Sequence, residues 1–465
     1  MAKRIYIETH GCQMNEADSR DIAERARAAG YTLASAPEDA NVLVLNTCTV
    51  REGAERRAYG RIGQWKRLKI EDSTRKVVVM GCLAEQDKDR MQSIAPHVDG
   101  VFGTKELAQL GEALLEWNAD ADPASIDEEH ILSQTIGSFN EGITDAYAHL
   151  RSYVTVQRGC SYYCTFCIVP HVRGRFDHRP KAEILAEVRA RVAGGAREVM
   201  LVGQTVNAYK EPADGSDFAQ LLHDVAAIDE LERLTFVTSH PRDFHTRLID
   251  ACAAIPKLNP RFHLPMQSGS NSILRRMNRK YTIEEYLTHI GEFKARCPEW
   301  ALTTDLIVGF PGETEEDFQA TLEVCARGIF AQAYMFVYSP RRGTPAAKWE
   351  QVDGAVASER LKRLVAVVDP EIRKRHESHV GRTLRALKCG PSKKDPSKLS
   401  AKTLDNVTLI APMVDGDEPW VDVRIERAFT WGYTGQIVSC AARFKGPPQR
   451  AKLVPATIDL IALAR

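Results

Sequence analysis

The chain has 465 residues, of which 44% are hydrophobic and 27% are charged, as is typical of a soluble globular protein with two to four domains. Lys and Arg number 62, as do Asp and Glu, so net charge indicates no partner class and a nucleic-acid surface must come from local clustering. The N-terminal residues lack the apolar core of a signal peptide, and no apolar run approaches the roughly 18 residues of a membrane span. We therefore expect a cytoplasmic protein whose clustered cysteines bind metal or do redox chemistry.

Three short apolar runs near the N-terminus predict strands that each end in a cysteine. They are RIYIETHGC, VLVLNTC and KVVVMGC, with helical patterns at 16–29 and 53–69 between them, which predicts a parallel sheet with helices on its faces. Open α/β sheets place ligands at the carboxyl ends of their strands. If the strands are neighbours, Cys12, Cys48 and Cys82 converge on one crevice; the alternative is three unrelated buried cysteines.

The stretch between the first domain and the next is acidic. Residues 106–150 contain no Lys or Arg but seven Asp and Glu from Asp120 to Asp145, which favours a connector. The predicted domain plan is an N-terminal domain at 1–117, an acidic linker at 118–150, a barrel domain at 151–380, a small β-barrel at 381–445 and a tail of unknown role at 446–465.

Residues 151 to about 345 alternate between strand and helix patterns. The candidate strands are 153–157, 198–203, 233–238, 261–265, 302–308 and 333–338. The candidate helices are 181–194, 217–229, 243–254, 270–296 and 313–327. Six such units predict an open, partial (β/α)6 barrel, in which chemistry occurs on the loops after the strands.

The C-terminal part changes character twice. Residues 355–380 have a helical pattern that Pro370 is expected to kink or break. Beyond them, the β-like runs NVTLIAP, WVDVRIERAF and GQIVSCAARF predict a small β-barrel. Its loop LKCGPSKKDPSKLSAK has five Lys and one acid, and is either a solvated loop or an RNA-facing patch.

The stretch QRGCSYYCTFCIVP places Cys160, Cys164 and Cys167 just after the first barrel strand. A helical stripe of buried cysteines and a zinc site are two alternatives, although zinc prefers four ligands from paired C-x₂₋₄-C units. We favour an iron–sulfur cluster with three protein thiolates and one open iron. The other cysteines have no spacing logic and are interpreted as structural: Cys252, Cys297, Cys325, Cys389 and Cys440.

The C-x₃-C-x₂-C spacing after the first strand of a partial barrel resembles the radical S-adenosylmethionine superfamily. The stretches ETHGCQMNEADS, LNTCTVREGA, GCLAE, VGQTVNAY, TSHPRDF, HLPMQSGS and TDLIVGFPGET then resemble the methylthiotransferases, specifically the tRNA-modifying MiaB branch. GCQMN and NTCTVRE are the discriminating stretches. The resemblance extends from residue 4 to about 440.

This resemblance implies two [4Fe-4S] clusters and S-adenosylmethionine as cofactors. Cys160, Cys164 and Cys167 would bind the radical-generating cluster, and Cys12, Cys48 and Cys82 a second cluster that feeds sulfur to the product. The implied substrate is a tRNA with N6-isopentenyladenosine beside the anticodon, and the product has a methylthio group at C2 of that base. The C-terminal barrel resembles the RNA-binding TRAM domain, although the match of its basic loop at Lys402 is loose.

Polar and apolar residues after the barrel strands are candidates for S-adenosylmethionine contacts. Phe166 matches the aromatic position of the cysteine loop, and Ile307 is either an adenine contact or an interior barrel residue. The polar candidates, each with a structural role as its alternative, are Gln204, Asn207, Ser239, His263, Gln267 and Asp305, with His240 beside Ser239.

Three functions remain open at this point: the tRNA methylthiotransferase, a radical enzyme acting on a ribosomal protein or a differently modified tRNA, and an RNA-binding iron–sulfur sensor. A basic helix predicted at 51–76 favours tRNA, because nine Lys and Arg oppose four acids there, with Tyr59 and Trp65 interleaved. A solvated helical face is its alternative. We expect a monomer that also needs an electron donor and a source of sulfur, neither of which the sequence identifies.

Overall fold

The computed structural model describes residues 3–49, 52–119 and 148–444, apart from the side chains of residues 52 and 148. Most of the predicted linker and the tail at 446–465 lie outside the described residues. The chain divides into two compact units, of which the first comprises Met1–Ser161 and Cys167–Asp177 and the second Tyr162–Phe166 and His178–Arg465. The domain boundaries predicted above do not coincide with this division, and they stay a prediction.

The first unit contains the predicted parallel sheet. Its elements are β1 Arg4–Thr9, α1 Gln13–Ala28, β2 Thr32–Leu33, β3 Val42–Thr47, α2 Glu52–Glu71, β4 Lys76–Gly81, α3 Cys82–Ile94, β5 Gly100–Phe102, α4 Leu107–Trp117, β6 Arg151–Thr155, β7 Gln157–Arg158 and α5 Val169–Arg173. β8, Asp177–His178, spans the boundary of the two units. The sheet has the order β2-β1-β3-β4-β5 and every neighbouring pair is parallel.

Alternation along the strands of this sheet builds a core on both faces. Leu43 and Leu45 of β3 pack with residues of α2 on one face, while Val42 and Val44 pack with residues of α1 and α4 on the other. Successive side chains of a strand point to opposite faces, and a parallel sheet covered on both faces needs apolar residues on each. This explains the uninterrupted apolar run VLVL.

The second unit begins with the remaining barrel strands and helices. They are α6 Lys181–Ala193, β9 Glu198–Val202, α7 Phe218–Ala226, β10 Arg233–Phe236, α8 Thr246–Ala254, β11 Arg261–His263, α9 Asn271–Arg276, α10 Ile283–Arg296, β12 Ala301–Val308, α11 Glu315–Cys325, β13 Gln332–Val337 and α12 Gly354–Glu377. β9 pairs in parallel with β10, and β11, β12 and β13 form a parallel sheet in chain order. A parallel bridge between Leu234 and Leu258 joins β10 to the segment that leads into β11.

Local capping explains where these helices begin. Thr282 and Thr314 each cap a helix, and each forms a capping box with the acidic residue three positions later. The single helix predicted at 270–296 is wrong, because the structure has two helices there. Asn278 and Lys280 lie between them with φ of 59°, a left-handed conformation that an α-helix cannot contain.

The C-terminal strands of the second unit form a closed barrel, as predicted. They are β14 Thr383–Pro391, β15 Lys398–Thr403, β16 Thr408–Pro412, β17 Trp420–Phe429 and β18 Gly432–Ala441, in the order β14-β15-β16-β18-β17. The stretch LKCGPSKKDPSKLSAK is not simply a loop, because it contains the end of β14 and most of β15. Lys388 of β14 is fully buried and donates from Nζ to the Gly416 carbonyl at 2.8 Å, so it is no part of a basic surface.

Pro370 does not break its helix, since α12 runs through it from Gly354 to Glu377. Pro370 cannot donate to the Ala366 carbonyl four residues earlier. Both residues are exposed, so water can hydrate that carbonyl at little cost.

Within the described ranges, every helix is either too short or too polar to cross a lipid bilayer.

Candidate functional site

Three cysteines follow three adjacent strands of the first unit. Thr47 of β3 is paired in register with Gly81 of β4, so Cys48 and Cys82 directly follow a matched pair of residues. Cys12 follows the neighbouring strand β1 and lies at the N-terminus of α1. The sheet reverses its strand order between β1 and β3, and such switch points are where open α/β sheets bind ligands. The topology therefore brings these three residues to one edge of the sheet.

Backbone and amide groups fix this edge. Gly81 has φ of 101°, and a Cβ there would overlap the Thr47 carbonyl oxygen, so only glycine fits before Cys82. Asn15 accepts from the Cys12 amide at 3.3 Å and donates to the Asn46 Oδ1 at 3.0 Å. The amides of GCQMN and LNTC thus tie together the loops that carry Cys12 and Cys48. No local sequence pattern marks these asparagines, because they lie 31 residues apart.

A buried arginine contacts one of these thiols. Arg173, the last residue of α5, donates from Nε to the Cys82 Sγ at 3.3 Å and from Nη2 to the Asp18 Oδ2 at 2.8 Å. Burial raises the pKa of Cys82, whereas the positive charge of Arg173 opposes that rise. Although burial acts against it, Asp18 and the thiols of Cys82 and Cys12 hold the pKa of Arg173 well above its ordinary value. A cation therefore lies within electrostatic range of two of the three thiols.

The second cysteine triad lies on one continuous loop. Cys160 and Cys164 are buried and Cys167 is half-buried. Gly159 has φ of 71°, and a Cβ there would overlap the Arg175 carbonyl oxygen, so the turn before Cys160 requires glycine. The spacing of the three cysteines follows from an irregular loop, and the alternative of a helical stripe is therefore wrong.

Cys164, in the second unit, also has an arginine partner. Arg279 donates from Nη1 to the Cys164 Sγ at 3.3 Å, from Nη2 to the Pro265 carbonyl at 3.3 Å and from Nε to the Tyr281 hydroxyl at 3.2 Å. It is held in the left-handed turn that separates α9 from α10. No sequence pattern marks this residue either, because its contact with Cys164 spans 115 positions.

Among the residues that the structure describes, no three His, Cys, Asp or Glu side chains form a ligand set for one metal ion. A cubane makes a different demand, because its thiolates bind different irons and lie further apart than the ligands of a single ion. Cysteine thiolates are the usual ligands of iron–sulfur clusters, so the six thiols fit such clusters chemically. Two of these thiols also accept a hydrogen bond from an arginine.

Buried polar atoms with no hydrogen-bond partner among the described residues follow three successive barrel strands. They are the Gln204 Oε1 after β9, the Ser239 Oγ and the His240 Nε2 after β10, and the Gln267 Oε1 after β11. Buried polar groups are ordinarily paired, so this row is a candidate binding site for a polar ligand. Burial, with the charges of Arg279 and Arg242, holds the pKa of His240 far below its ordinary value, so this ring is neutral.

The other polar candidates have protein partners. Asn207 donates to the His240 carbonyl and accepts from the His240 amide, both at 2.8 Å, which locks the loops after β9 and β10 together. His263 is hydrogen-bonded to Thr303 at 2.9 Å and lies 3.4 Å from the Asp305 carboxylate. Structural roles are therefore present for these residues, and a role toward a cofactor stays a prediction.

The two apolar candidates lie on one cluster of the second unit. Phe166 and Ile307 are partly buried and pack against a core that includes Met277 and Phe310, with the Phe166 and Phe310 rings edge-to-face at 6.3 Å. Each therefore has a packing role and a partly exposed face.

The basic helix of the first unit differs from the prediction in its aromatic residues. Trp65 is only 1% exposed and belongs to the core, and Tyr59 is half-buried with its hydroxyl donating to Asp87. The Trp65 ring is therefore unavailable for stacking on a base, which contradicts that part of the interpretation, whereas the role of Tyr59 toward RNA stays a prediction. The exposed cations of α2 are Arg56, Arg57, Lys66 and Arg67.

The basic hairpin between β14 and β15 has three exposed lysines. Lys393, Lys394 and Lys398 are exposed, and Lys398 lies 3.2 Å from Asp395. Lys402 is half-buried and donates to the Thr408 hydroxyl at 2.7 Å, which reduces its availability to RNA.

Comparison with known proteins agrees with this architecture. A model described as uncharacterized protein family UPF0004 matches residues 4–103, and a model of the radical SAM superfamily matches residues 154–325. The fold is similar to that of the radical S-adenosylmethionine methyltransferase TsrM from Kitasatospora setae, at 15% identity and a TM-score of 0.55 over 75% of this chain and 77% of that one. It is also similar to the cobalamin-dependent S-adenosylmethionine radical enzyme OxsB, at 11% identity and a TM-score of 0.51 over 78% of this chain and 56% of that one. The class is thus a radical S-adenosylmethionine protein with an N-terminal UPF0004 domain.

Curated relatives identify the family within that class. The tRNA-2-methylthio-N(6)-dimethylallyladenosine synthase of Moorella thermoacetica is 41% identical over 94% of this chain and 98% of its own length. The protein of the same name from Desulfitobacterium hafniense is 40% identical over 93% of this chain and 97% of its own length. The chain belongs to the tRNA-2-methylthio-N(6)-dimethylallyladenosine synthase family, which confirms the resemblance found from its motifs.

Proposed function

We propose that this chain is a tRNA methylthiotransferase that places a methylthio group on C2 of N6-isopentenyladenosine next to the anticodon. The observation that carries the proposal is the identity of about 40% with proteins of that name along nearly the whole chain. Two cysteine triads support it, because one triad follows three adjacent parallel strands and the other has the spacing of a radical S-adenosylmethionine loop.

We assign each triad a [4Fe-4S] cluster. Cys160, Cys164 and Cys167 bind the radical-generating cluster, and Cys12, Cys48 and Cys82 bind the auxiliary cluster, so the chain holds two. When bound, these clusters and S-adenosylmethionine supply the electron, radical, sulfur and methyl group that amino-acid side chains lack. The protein positions the thiolates through the glycine turns and the asparagine pair described above.

The polar groups after the barrel strands hold S-adenosylmethionine. Gln204, Ser239 and Gln267 offer buried polar atoms that need a partner, and neutral His240 offers a further ring nitrogen. Phe166 and Ile307 form the apolar side of the same site. His263 and Asp305 complete the set, with Asn207 holding the backbone on which His240 lies.

The chemistry of the substrate explains the need for these parts. An aromatic C2–H is neither acidic enough nor electrophilic enough for acid–base or nucleophilic catalysis by side chains. The base must be unstacked to reach a buried site, which favours a single-stranded anticodon loop. Exposed cations on α2 and on the hairpin between β14 and β15 provide phosphate contacts.

We also propose that the chain works in the cytoplasm as a monomer, with a separate electron donor and sulfur source. The compartment and the two co-reactants follow from the substrate class, since a tRNA-modifying enzyme must share a compartment with tRNA and the reaction consumes electrons and sulfur. Gel filtration with light scattering tests the oligomeric state.

Mass spectrometry of tRNA nucleosides tests the function. Cells without the protein should accumulate N6-isopentenyladenosine and lack its 2-methylthio derivative, and the wild-type chain should restore it. An unchanged nucleoside profile, together with a change in a ribosomal protein, would instead favour the protein-modifying alternative.

A further inference from the structure

We propose that Arg173 and Arg279 are positioning residues, each of which donates an N–H to one cysteine of one triad and thereby raises the reduction potential of the cluster that this triad binds. The inference rests on the proposed function, because it assumes that both triads hold clusters. Hydrogen bonds to cysteine sulfur and nearby positive charge favour the reduced, more negative state of an iron–sulfur cluster.

The contact in the first unit is rigidly held. Arg173 is 6% exposed, and its Nε lies 3.3 Å from the Cys82 Sγ, while Asp18 accepts from its Nη2 at 2.8 Å. Asp18 is buried and is itself held by Arg158 at 2.6 Å. The guanidinium therefore cannot turn away from Cys82 without leaving Asp18 with one fewer buried partner.

The contact in the second unit has the same length but a different donor atom, and its other partners are uncharged. Arg279 is 5% exposed, its Nη1 lies 3.3 Å from the Cys164 Sγ, and its other contacts are the Pro265 carbonyl and the Tyr281 hydroxyl. Those partners carry no formal charge, whereas Arg173 is paired with a carboxylate. The positive charge beside Cys164 is thus less compensated than the charge beside Cys82.

This difference predicts a graded effect. Replacing Arg279 removes a hydrogen bond and a charge that has no paired carboxylate among the described residues, whereas replacing Arg173 removes a hydrogen bond and half of an ion pair. Both variants should have clusters of more negative potential, and the shift for Arg279→Gln should be larger. On the order of a tenfold change in the one-electron equilibrium, or about 59 mV, is expected for a single strong contact.

The opposite sign is expected from Asp18→Asn. That change leaves Arg173 beside Cys82 and removes the carboxylate that neutralises it, so the auxiliary cluster should become easier to reduce. A residue with only a packing role would not produce shifts of opposite sign in Arg173→Gln and Asp18→Asn. Arg158→Gln separates charge from hydrogen bonding, because Arg158 contacts Asp18 and has no hydrogen bond to Cys82 among those described; it should lower the auxiliary potential by less than Arg173→Gln does.

The experiment is an EPR-monitored redox titration of the reconstituted full-length chain, with iron content measured on each sample. The auxiliary cluster is read in a background in which Cys160, Cys164 and Cys167 are Ala, and the radical cluster in a background in which Cys12, Cys48 and Cys82 are Ala. If a background loses all its iron, the intact chain is titrated with S-adenosylmethionine added to move only the radical cluster's signal.

The expected result is a double dissociation. Arg173→Gln lowers only the auxiliary potential and Arg279→Gln lowers only the radical-cluster potential. Wild-type potentials in both variants at full iron content overturn the inference while leaving the two-cluster function intact. About four irons in the wild-type chain, with none bound to Cys12, Cys48 and Cys82, instead overturns the proposed function. If Arg173→Gln loses its iron, the shift of the auxiliary potential in Asp18→Asn tests the inference instead. A more positive potential supports it, and an unchanged or more negative potential overturns it.

Discussion

The two cysteine triads are built in different ways. In the first unit Cys12, Cys48 and Cys82 are brought to one edge by the register of three parallel strands. Cys160, Cys164 and Cys167 instead lie within eight consecutive residues of one irregular loop. The first arrangement depends on the folded sheet, and the second on a local turn.

This difference teaches how each site can fail. A triad assembled by sheet register is lost when the sheet is disturbed, and its polar support spans the unit, as the contact between Arg173 and Asp18 across 155 positions shows. A triad on one loop depends mainly on its turn and on a few contacts such as that of Arg279. Asn15, Asn46 and Asp18, which support the first triad, all have protein partners. The barrel has buried polar atoms with no partner in the part of the chain that the structure describes, and a ligand can satisfy them.

The largest expected effect comes from breaking one triad at a time. Cys164→Ala should abolish both 5′-deoxyadenosine and methylthiolated product, because the radical-generating cluster loses a thiolate. Cys12→Ala should abolish the product and keep 5′-deoxyadenosine formation, because the other triad is intact. Both compounds are measured by liquid chromatography and mass spectrometry after anaerobic reconstitution.

Cys440→Ser is the control for these variants, since this half-buried cysteine belongs to neither triad and should retain wild-type activity. Iron content and circular dichroism establish that each variant is folded, because loss of a cluster can unfold its domain. If a folded Cys12→Ala protein loses 5′-deoxyadenosine while Cys164→Ala keeps it, the two assignments are reversed.

The second prediction asks which unit carries more of the tRNA affinity. Replacing Lys393, Lys394 and Lys398 by Ala should reduce the log–log salt slope of tRNA binding by about 0.7 for each phosphate interaction removed, or roughly 2 in total. Replacing the exposed cations Arg56, Arg57 and Lys66 of α2 by Ala should reduce it by a similar amount. Binding is measured by fluorescence anisotropy at several salt concentrations.

Exposed Lys362 and Lys374 of α12 provide the matched control, and their replacement by Ala should leave the slope unchanged. A wild-type slope in the hairpin variant would show that this hairpin is only solvated. A wild-type slope in the α2 variant alone would confine the RNA surface to the second unit.

Sequence patterns predicted the elements and the cysteines better than the contacts around them. Apolar runs ending in cysteine identified β1, β3 and β4, because a strand buried on both faces leaves a continuous local signal. The charge pattern of α2 could not show that Trp65 points into the core. An amphipathic helix contains both charged and aromatic residues, and counting charges does not show on which face a ring lies. Arg173 and Asn15 were missed for a different reason: their partners are set by topology and leave no local periodicity.

The third prediction contrasts paired and unpaired polar groups within the barrel. Ser239→Ala should weaken S-adenosylmethionine binding about tenfold and leave unfolding unchanged, because the Ser239 Oγ has no partner among the described residues and a ligand contact is worth about 1.4 kcal/mol. Asn207→Ala should lower the free energy of unfolding by about 1–3 kcal/mol, because it removes both hydrogen bonds between the Asn207 amide and the His240 backbone. Isothermal titration and denaturant unfolding measure the two effects.

Thr344→Val is the matched control for Ser239→Ala, because it removes a buried hydroxyl that already donates to the Arg341 carbonyl at 2.8 Å. It should reduce stability rather than directly remove a ligand contact. A Ser239→Ala protein that binds S-adenosylmethionine as tightly as the wild type would remove Ser239 from the proposed site.

The smallest expected effect separates the two units by their response to acid. Burial, with the charges of Arg375 and Arg382, lowers the pKa of His379 to about 4, although Asp405 opposes this shift. His379 is therefore neutral in the folded second unit and takes up a proton on unfolding between pH 4 and 6.5. The stability that His379 contributes to the second unit is fully present above pH 6.5. It falls by about 1–3 kcal/mol as the pH drops through that window, with no further loss from this group below pH 4.

In the first unit, Arg173 and Arg158 hold the pKa of Asp18 below its ordinary value despite its burial. The stability that Asp18 contributes is therefore present above about pH 4 and is lost only at lower pH.

Acidification should consequently loosen the second unit before the first, as hydrogen exchange read by mass spectrometry can resolve peptide by peptide. His379→Gln should flatten the pH dependence of the second unit between pH 4 and 6.5, with a residual slope from His376, whose pKa burial also lowers. His245→Gln is the matched control, because His245 is exposed, and it should leave the slope unchanged. Earlier exchange of the first unit at pH 5 would contradict this prediction. The stability of the sheet that carries Cys12, Cys48 and Cys82 would then be limited by something other than its buried ion pairs. In that case the contrast between a paired sheet edge and a partly unpaired barrel does not extend to stability.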